Sequence, residues 1–168
     1  MFKFNTVLFQ VFSPQNVGMI IRSHVAFGGK ALIFVGYDKP WSFKTGTHGF
    51  SRKLEKNCII ENFPNPDDFF SWSKINQLKN VAIEISNSAF PLPSYPFEES
   101  CNIIVGNEGA GIASDFLNRC NKVVYIPQFG EVGCLNVAVS ASIAMYEFTK
   151  NYTIEQKAII GDEFKIKT

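Results

Sequence analysis

The chain has 168 residues, of which 46% are hydrophobic and 18% charged, with a net charge of +1. That suits one domain with a real core and excludes a disordered chain, and the near-neutral balance excludes nucleic-acid binding by bulk charge. Any RNA site must therefore be a local patch. Four cysteines, Cys58, Cys101, Cys120 and Cys134, make no CxxC pair and no metal-ligand spacing. Scattered thiols of this kind point to a reducing, cytoplasmic setting. No run reaches the roughly 20 apolar residues of a membrane span, and no early segment has the build of a signal peptide. The expectation is a soluble intracellular domain with neither membrane nor metal.

Phe2 to Phe12 reads as a first strand centred on Val7-Leu8-Phe9, broken by Ser13-Pro14-Gln15-Asn16. Val17 to Phe27 then carries Val17, Ile20, Ile21, His24 and Val25 at helical spacing and ends on Gly28-Gly29. Ala31 to Val35 is a second, fully apolar strand closed by Gly36. A crossover this short implies parallel pairing and a sheet covered on its faces. Residues 37–56 differ, interleaving Lys39, Lys44, Arg52 and Lys53 with Tyr37, Trp41, Phe43 and Phe50 without clear period. That composition suits a surface that stacks bases and neutralises phosphates, and it equally suits a solvated loop with a few core anchors.

Further on come a short strand at Cys58-Ile59-Ile60 and a helix opened by Asn65-Pro66-Asp67-Asp68. A strand at Val81 to Ile85, a loop at Pro91 to Pro96 and a strand at Asn102 to Val105 follow. The last of these ends on Gly106-Asn107-Glu108-Gly109-Ala110-Gly111, and a short helix, Ser114 to Arg119, leads on. Val123 to Ile126 is the final strand, stopped by Pro127, which cannot donate to a ladder. Asn136 stands as N-cap to an Ala- and Ser-rich helix running past Phe148. The order predicts an open, mostly parallel α/β sheet with helices on both faces, one domain over residues 1–150. The tail 151–168 allows a hairpin as easily as a frayed helix.

Open α/β sheets bind ligands at the carboxyl ends of their strands. Three stretches fall there: Asn16 with Arg22 six residues later, Gly106 to Gly109, and Gly130 to Asn136. The second is spaced G-x-x-G-x-G, which is not the dinucleotide fingerprint, and no Gly-Lys-Ser/Thr occurs to make a P-loop. Pro14 lacks the amide hydrogen that a phosphate cradle after the first strand needs, which weighs against a flavodoxin-like or nicotinamide enzyme. Glycines flanking Glu108 instead let backbone crowd a ligand while one carboxylate is presented. Asn16 and Asn136 could equally cap helices, and Glu108 could balance a helix N-terminus. His24 and His48 suit packing or solvent better than a catalytic base.

Asn16-Val17-Gly18-Met19-Ile20-Ile21-Arg22 resembles the first motif of the SpoU-type (TrmH-like) RNA ribose 2′-O-methyltransferases of the SPOUT class. Ile104 through Ile112 resembles the second motif, and Ile126-Pro127 through Leu135-Asn136-Val137 the third. The resemblance implies S-adenosylmethionine as methyl donor, structured RNA as acceptor, an obligate homodimer and a C-terminal trefoil knot. Carried over by position, it implies Asn16, Arg22, Glu108 and Asn136 as the functional polar residues. It places the cofactor against Ile85, Gly106, Asn107, Ile126, Cys134, Leu135 and Asn136, and leaves RNA to Lys39, Lys44, Arg52 and Lys53 with the dimer groove. The family usually has Ser where Cys134 stands, and a thiol is the weaker hydrogen-bond partner. Without the long extensions of many relatives, the chain resembles the minimal tRNA-modifying members; ribosomal RNA, or a non-catalytic RNA-binding role, is the alternative.

Overall fold

The computed structural model describes residues 3–43, 46–97 and 99–150, so Lys44 and the tail 151–168 lie outside the described residues. Among these residues seven strands form one sheet: β1 (Phe4–Phe9), β2 (Ala31–Val35), β3 (Ile59–Phe63), β4 (Lys79–Ile83), β5 (Phe90–Pro91), β6 (Cys101–Val105) and β7 (Lys122–Tyr125). Their order is β3-β2-β1-β6-β4-β7-β5, and every pairing is parallel rather than mostly so. The helices are α1 (Pro14–Ala26), α2 (Thr47–Ser51), α3 (Pro66–Ile75), α4 (Ser114–Leu117) and α5 (Val137–Thr149).

β1, β2 and β6 are buried at every residue, as strands covered on both faces must be. Ile33, Val7, Ile104, Ala82 and Val123 stand in one row across five strands. That row shares a core with Phe69 of α3 and Phe116 of α4. On the other face Leu8, Leu32, Phe34 and Ile103 pack with Ile20 and Ile21 of α1 and with Ala141 and Met145 of α5. Helices thus cover both faces.

Three boundaries differ from expectation for local reasons. Helix α1 starts at Pro14, because the Ser13 hydroxyl accepts the Asn16 N–H at 3.3 Å and proline suits a first turn. β4 ends at Ile83, which makes Glu84 the first residue past the strand. The loop expected at Pro91 contributes the edge strand β5, where a missing N–H does no harm. The short helix α2 is not apparent in the sequence pattern. It lies so close to α1 that a Cβ on Gly18 would sit 2.6 Å from Phe50 Cβ and 2.8 Å from the Thr47 carbonyl oxygen.

At the amino ends of the strands Asn5, Asn102 and Asn80 sit opposite one another on β1, β6 and β4. Asn5 Nδ2 donates to Asn102 Oδ1 at 2.8 Å, and Asn102 Nδ2 donates to Asn80 Oδ1 at 2.8 Å. Ser73 of α3 closes the row, its hydroxyl donating to Asn80 Oδ1 at 2.9 Å and accepting from Asn102 Nδ2 at 3.1 Å.

His24 is buried on α1, its Nδ1 2.8 Å from the Thr6 hydroxyl and its Nε2 without a partner. Burial pushes its pKa down to about 4 from the ordinary 6.5. The unfolded chain therefore takes up this proton first, and stability present above pH 6.5 is lost as pH falls towards 4. A shift of this size corresponds to about 3 kcal/mol. Urea melts at pH 7 and pH 4.5 check this: the drop in the wild type should shrink in His24→Gln, and an equal drop in both would remove His24 as its source.

Candidate functional site

The loops after β4, β6 and β7 open at one end of the sheet and wall a cavity of about 630 Å³. That lies in the range of small-molecule sites, at the strand ends where α/β sheets hold ligands. Every residue expected to hold a cofactor lines it: Ile85, Gly106, Asn107, Ile126, Cys134, Leu135 and Asn136. Asn16 and Glu108 line it as well.

The loop after β6 is shaped chiefly by its own side chains. Asn107 Oδ1 accepts the N–H groups of Gly109 at 2.9 Å and Ala110 at 2.8 Å, while its Nδ2 donates to the Gln10 carbonyl at 2.8 Å. The Asn107 and Gly111 backbones bond to each other in both directions. A Cβ on Gly106 would meet Ile112 Cγ1 at 2.4 Å and the Gly111 carbonyl oxygen at 2.8 Å, so the turn closes only over glycine. Gly111 has a φ of +68°, and a Cβ there would lie 2.7 Å from Glu84 Oε2. Glu84 Oε2 in turn accepts the Ile112 N–H at 3.0 Å, joining the loops after β4 and β6.

The three motifs meet in one chain of hydrogen bonds. Asn136 caps α5, its Oδ1 accepting from Ala138 at 2.9 Å and Val139 at 3.3 Å. Its Nδ2 donates to Asn16 Oδ1 at 3.0 Å, and Asn16 Nδ2 donates to Glu108 Oε1 at 3.1 Å. Glu108 also accepts the N–H groups of Ser13 at 2.9 Å and Phe12 at 3.1 Å. Partial burial raises the Glu108 pKa, but these donors outweigh it and hold the carboxyl below its ordinary value. The carboxylate that the sequence presents to a ligand is thus committed to the start of α1.

Arg22 stands apart. It is exposed and does not line the cavity, and it has no hydrogen bond or ion pair among the described residues. Six residues turn an α-helix by about 600°, so Asn16 and Arg22 leave α1 on different sides. A reach from Arg22 to the rim of its own cavity is not what the structure shows. Lys39, Arg52 and Lys53 are exposed and also lie off the cavity, joined by Lys56, while Lys44 falls outside the described residues. Three aromatic residues of this stretch turn inwards, while Phe50 stays exposed. Trp41 stacks on Phe34 at 5.8 Å, and Tyr37 is buried with its hydroxyl on the Val11 carbonyl at 2.7 Å. The core-anchor alternative therefore describes Tyr37, Trp41 and Phe43, and the base-stacking one does not.

Glu84, Ser86, Tyr125 and Gln128 also line the cavity and were missed. Running β4 on to Ile85 hid Glu84 inside a strand; a strand ended two residues earlier would have exposed it as a strand-end carboxylate. Among the described residues there is no group of three His, Cys, Asp or Glu side chains able to hold a metal, and no helix long and apolar enough to cross a membrane.

A parallel sheet with a cavity walled by the loops of adjacent strand ends defines an α/β small-molecule-binding domain. The chain belongs to the SpoU rRNA methylase family, whose model matches residues 3–146. It is 30% identical over 138 residues to the 23S rRNA (guanosine(2553)-2′-O)-methyltransferase RlmP of Bacillus subtilis, covering 79% of this chain and 52% of that protein. It is 31% identical over 140 residues to the 23S rRNA (guanosine-2′-O-)-methyltransferase RlmB of Acinetobacter baylyi, covering 82% and 56%. The chain thus spans about half the length of these curated relatives. The AdoMet-bound rRNA methyltransferase of Sinorhizobium meliloti superposes with a TM-score of 0.83 at 24% identity, covering 90% of this chain and 57% of that one, a likeness of fold.

Proposed function

We propose that this chain transfers a methyl group from S-adenosylmethionine to a ribose 2′-hydroxyl of structured RNA. The observation that carries this is the hydrogen-bonded chain Asn136–Asn16–Glu108, which gathers one residue from each motif on the wall of one cavity. The cavity fits the cofactor in kind. Its volume of about 630 Å³ suits a nucleoside-sized ligand, Ile83, Val105, Ile126 and Leu135 give apolar walls, and Glu84, Ser86 and Gln128 add polar groups. When bound, S-adenosylmethionine supplies an electrophilic methyl carbon: the new O–C bond forms as the S–C bond breaks, sulfur keeps the pair, and the hydroxyl proton passes to solvent.

The chain's own residues orient and stabilise. Glu108 is a poor base, because its lowered pKa and three accepted hydrogen bonds hold it as a carboxylate. Its part is to fix Asn16, which shares its other side with Asn136 and keeps one amide hydrogen for a ligand. Arg22 carries a planar cationic fork suited to the forming oxyanion and an adjacent phosphate. Because it lies off its own cavity, it serves a partner's.

That requirement supports a homodimer through α1 and α5. Ser23 and Ser142 join these helices at 2.7 Å, and their outer faces expose Met19, Val139 and Tyr146 beside Arg22. Light scattering should give about twice 18.8 kDa; a monomer at micromolar concentration would undo this part. The chain visits β4, the edge at β5, β6, then β7 between β4 and β5, before α5 returns over β6 to α1. This path supports the knot, which should leave a single-molecule pull on both termini short of full extension. Four unpaired cysteines support a cytoplasmic setting, which cell fractionation tests.

tRNA is the first acceptor to try and ribosomal RNA the second; the names of the two relatives above favour the second. Tritiated S-adenosylmethionine with unmodified tRNA or rRNA should label one ribose-methylated nucleoside, identified by mass spectrometry. Titration showing tight NADH binding and none of S-adenosylmethionine would reverse the reading. Lys39, Arg52 and Lys53, with Lys44, are assigned to RNA phosphates. Changing the described three to Gln should weaken RNA binding and lower its log–log salt slope by roughly one unit for each phosphate no longer neutralised. An unchanged slope would make them a solvated loop.

A further inference from the structure

Tyr37, Trp41 and Phe43 face the core, while Phe12, Phe50 and Phe129 stay exposed; Phe12 is 55% exposed just beyond buried Val11. Its backbone is fixed on the rim, because its N–H donates to Glu108 Oε2 at 3.1 Å. Its ring meets Tyr37 edge to face, with centroids 5.5 Å apart and planes at 72°. Tyr37 is a rigid support, bonded to the Val11 carbonyl and packed on Phe34 and Trp41 with centroids 5.5 and 5.9 Å away. Exposed cations stand on the neighbouring elements, with Asp38 and the Glu108 carboxylate among them. Lys39 lies two residues past Tyr37; Arg52, the C-cap of α2, and Lys53 follow that helix, whose other end, at N-cap Gly46, lies against the first turn of α1, where a Cβ on Gly46 would stand 3.1 Å from Pro14 Cβ. Arg52 and Lys53 hold φ of +56° and +62°, a costly conformation for side chains of their kind.

Resting on the methyl transfer proposed above, we propose that Phe12 is the platform on which the acceptor nucleoside stacks its base while its ribose enters the cavity. Single-stranded nucleotides are held by aromatic faces flanked by cations, and one aromatic ring accepts any base. Phe12 with Lys39, Arg52 and Lys53 has that composition, and the Glu108 bond ties it to the cavity wall. The ring therefore grips the nucleoside without naming its base.

The test uses the full chain, tritiated S-adenosylmethionine and total RNA from cells lacking the gene. Phe12→Ala should raise KM for RNA by about 5- to 100-fold, with kcat at saturating RNA changed far less. Phe12→Tyr should recover most of that loss, and S-adenosylmethionine affinity should stay level in both. Phe12→Trp should show a fluorescence quench on adding RNA, beyond that of wild type, and none on adding S-adenosylmethionine alone. A wild-type KM in Phe12→Ala, or no extra quench in Phe12→Trp, overturns the proposal. So does a shift of Phe12→Ala from dimer to monomer, which would make the ring a protomer contact. If wild type methylates no RNA at all, the underlying reading fails instead.

Discussion

Arg22→Ala is expected to lower methyl transfer by about 10²- to 10³-fold while S-adenosylmethionine still binds. Arg22 is exposed, lies off the cavity of its own chain and has no hydrogen bond or ion pair among the described residues, so its loss breaks none there. Arg22→Lys should recover little, because an ammonium lacks the planar fork that spans an alkoxide and a phosphate. The measurement is single-turnover methylation beside cofactor titration. Mixing locates the residue. If Arg22 serves the partner's cavity, dimers of Arg22→Ala with Asn136→Ala hold one site free of both lesions, and random pairing should restore roughly a quarter of wild-type activity. No recovery on mixing would place Arg22 in its own protomer's site, and full activity in Arg22→Ala would remove it from the chemistry.

Gly106→Ala is expected to lower stability by about 1–3 kcal/mol and S-adenosylmethionine affinity by about tenfold or more. The new methyl would stand 2.7 Å from the Gly111 carbonyl carbon and 2.8 Å from its oxygen, atoms held by two bonds to Asn107. Relief must come from opening the turn that walls the cavity. Gly109→Ala is the contrast, since its nearest neighbour is Asn107 Oδ1 at 3.7 Å, an ordinary contact. Its stability should stay within about 0.5 kcal/mol of wild type. Equal melts for both variants would show that the loop yields freely.

The elements that chain chemistry alone delimits were legible. Ala31–Val35 is bounded by Gly36, and α3 opens on Asn65 and Pro66, as local capping rules require. Asn16, Glu108 and Asn136 were legible as a group through the motifs, but their arrangement was not. Glu108 takes its hydrogen bonds from Phe12 and Ser13, more than ninety residues away, and composition cannot show where a carboxylate will turn. The same holds for Trp41 and Tyr37, whose inward packing depends on Phe34. Helix α2 has five residues and weak local preference; Gly18, on another helix, gives it a seat.

The asparagine row of β1, β6 and β4 acts as a datum line for the far end of the sheet. From that line β4 and β6 run only a few residues to the cavity loops, so each loop leaves the sheet at a height counted in residues. An inserted residue in β6 would lift its loop by about 3.3 Å and turn every later side chain to the opposite face. Sliding the strand back to correct the loop would strand buried amides without partners. Loop length here can drift only beyond Val105 and Ile83, which makes the sheet a gauge from which Glu108 is set against Asn16 and Asn136.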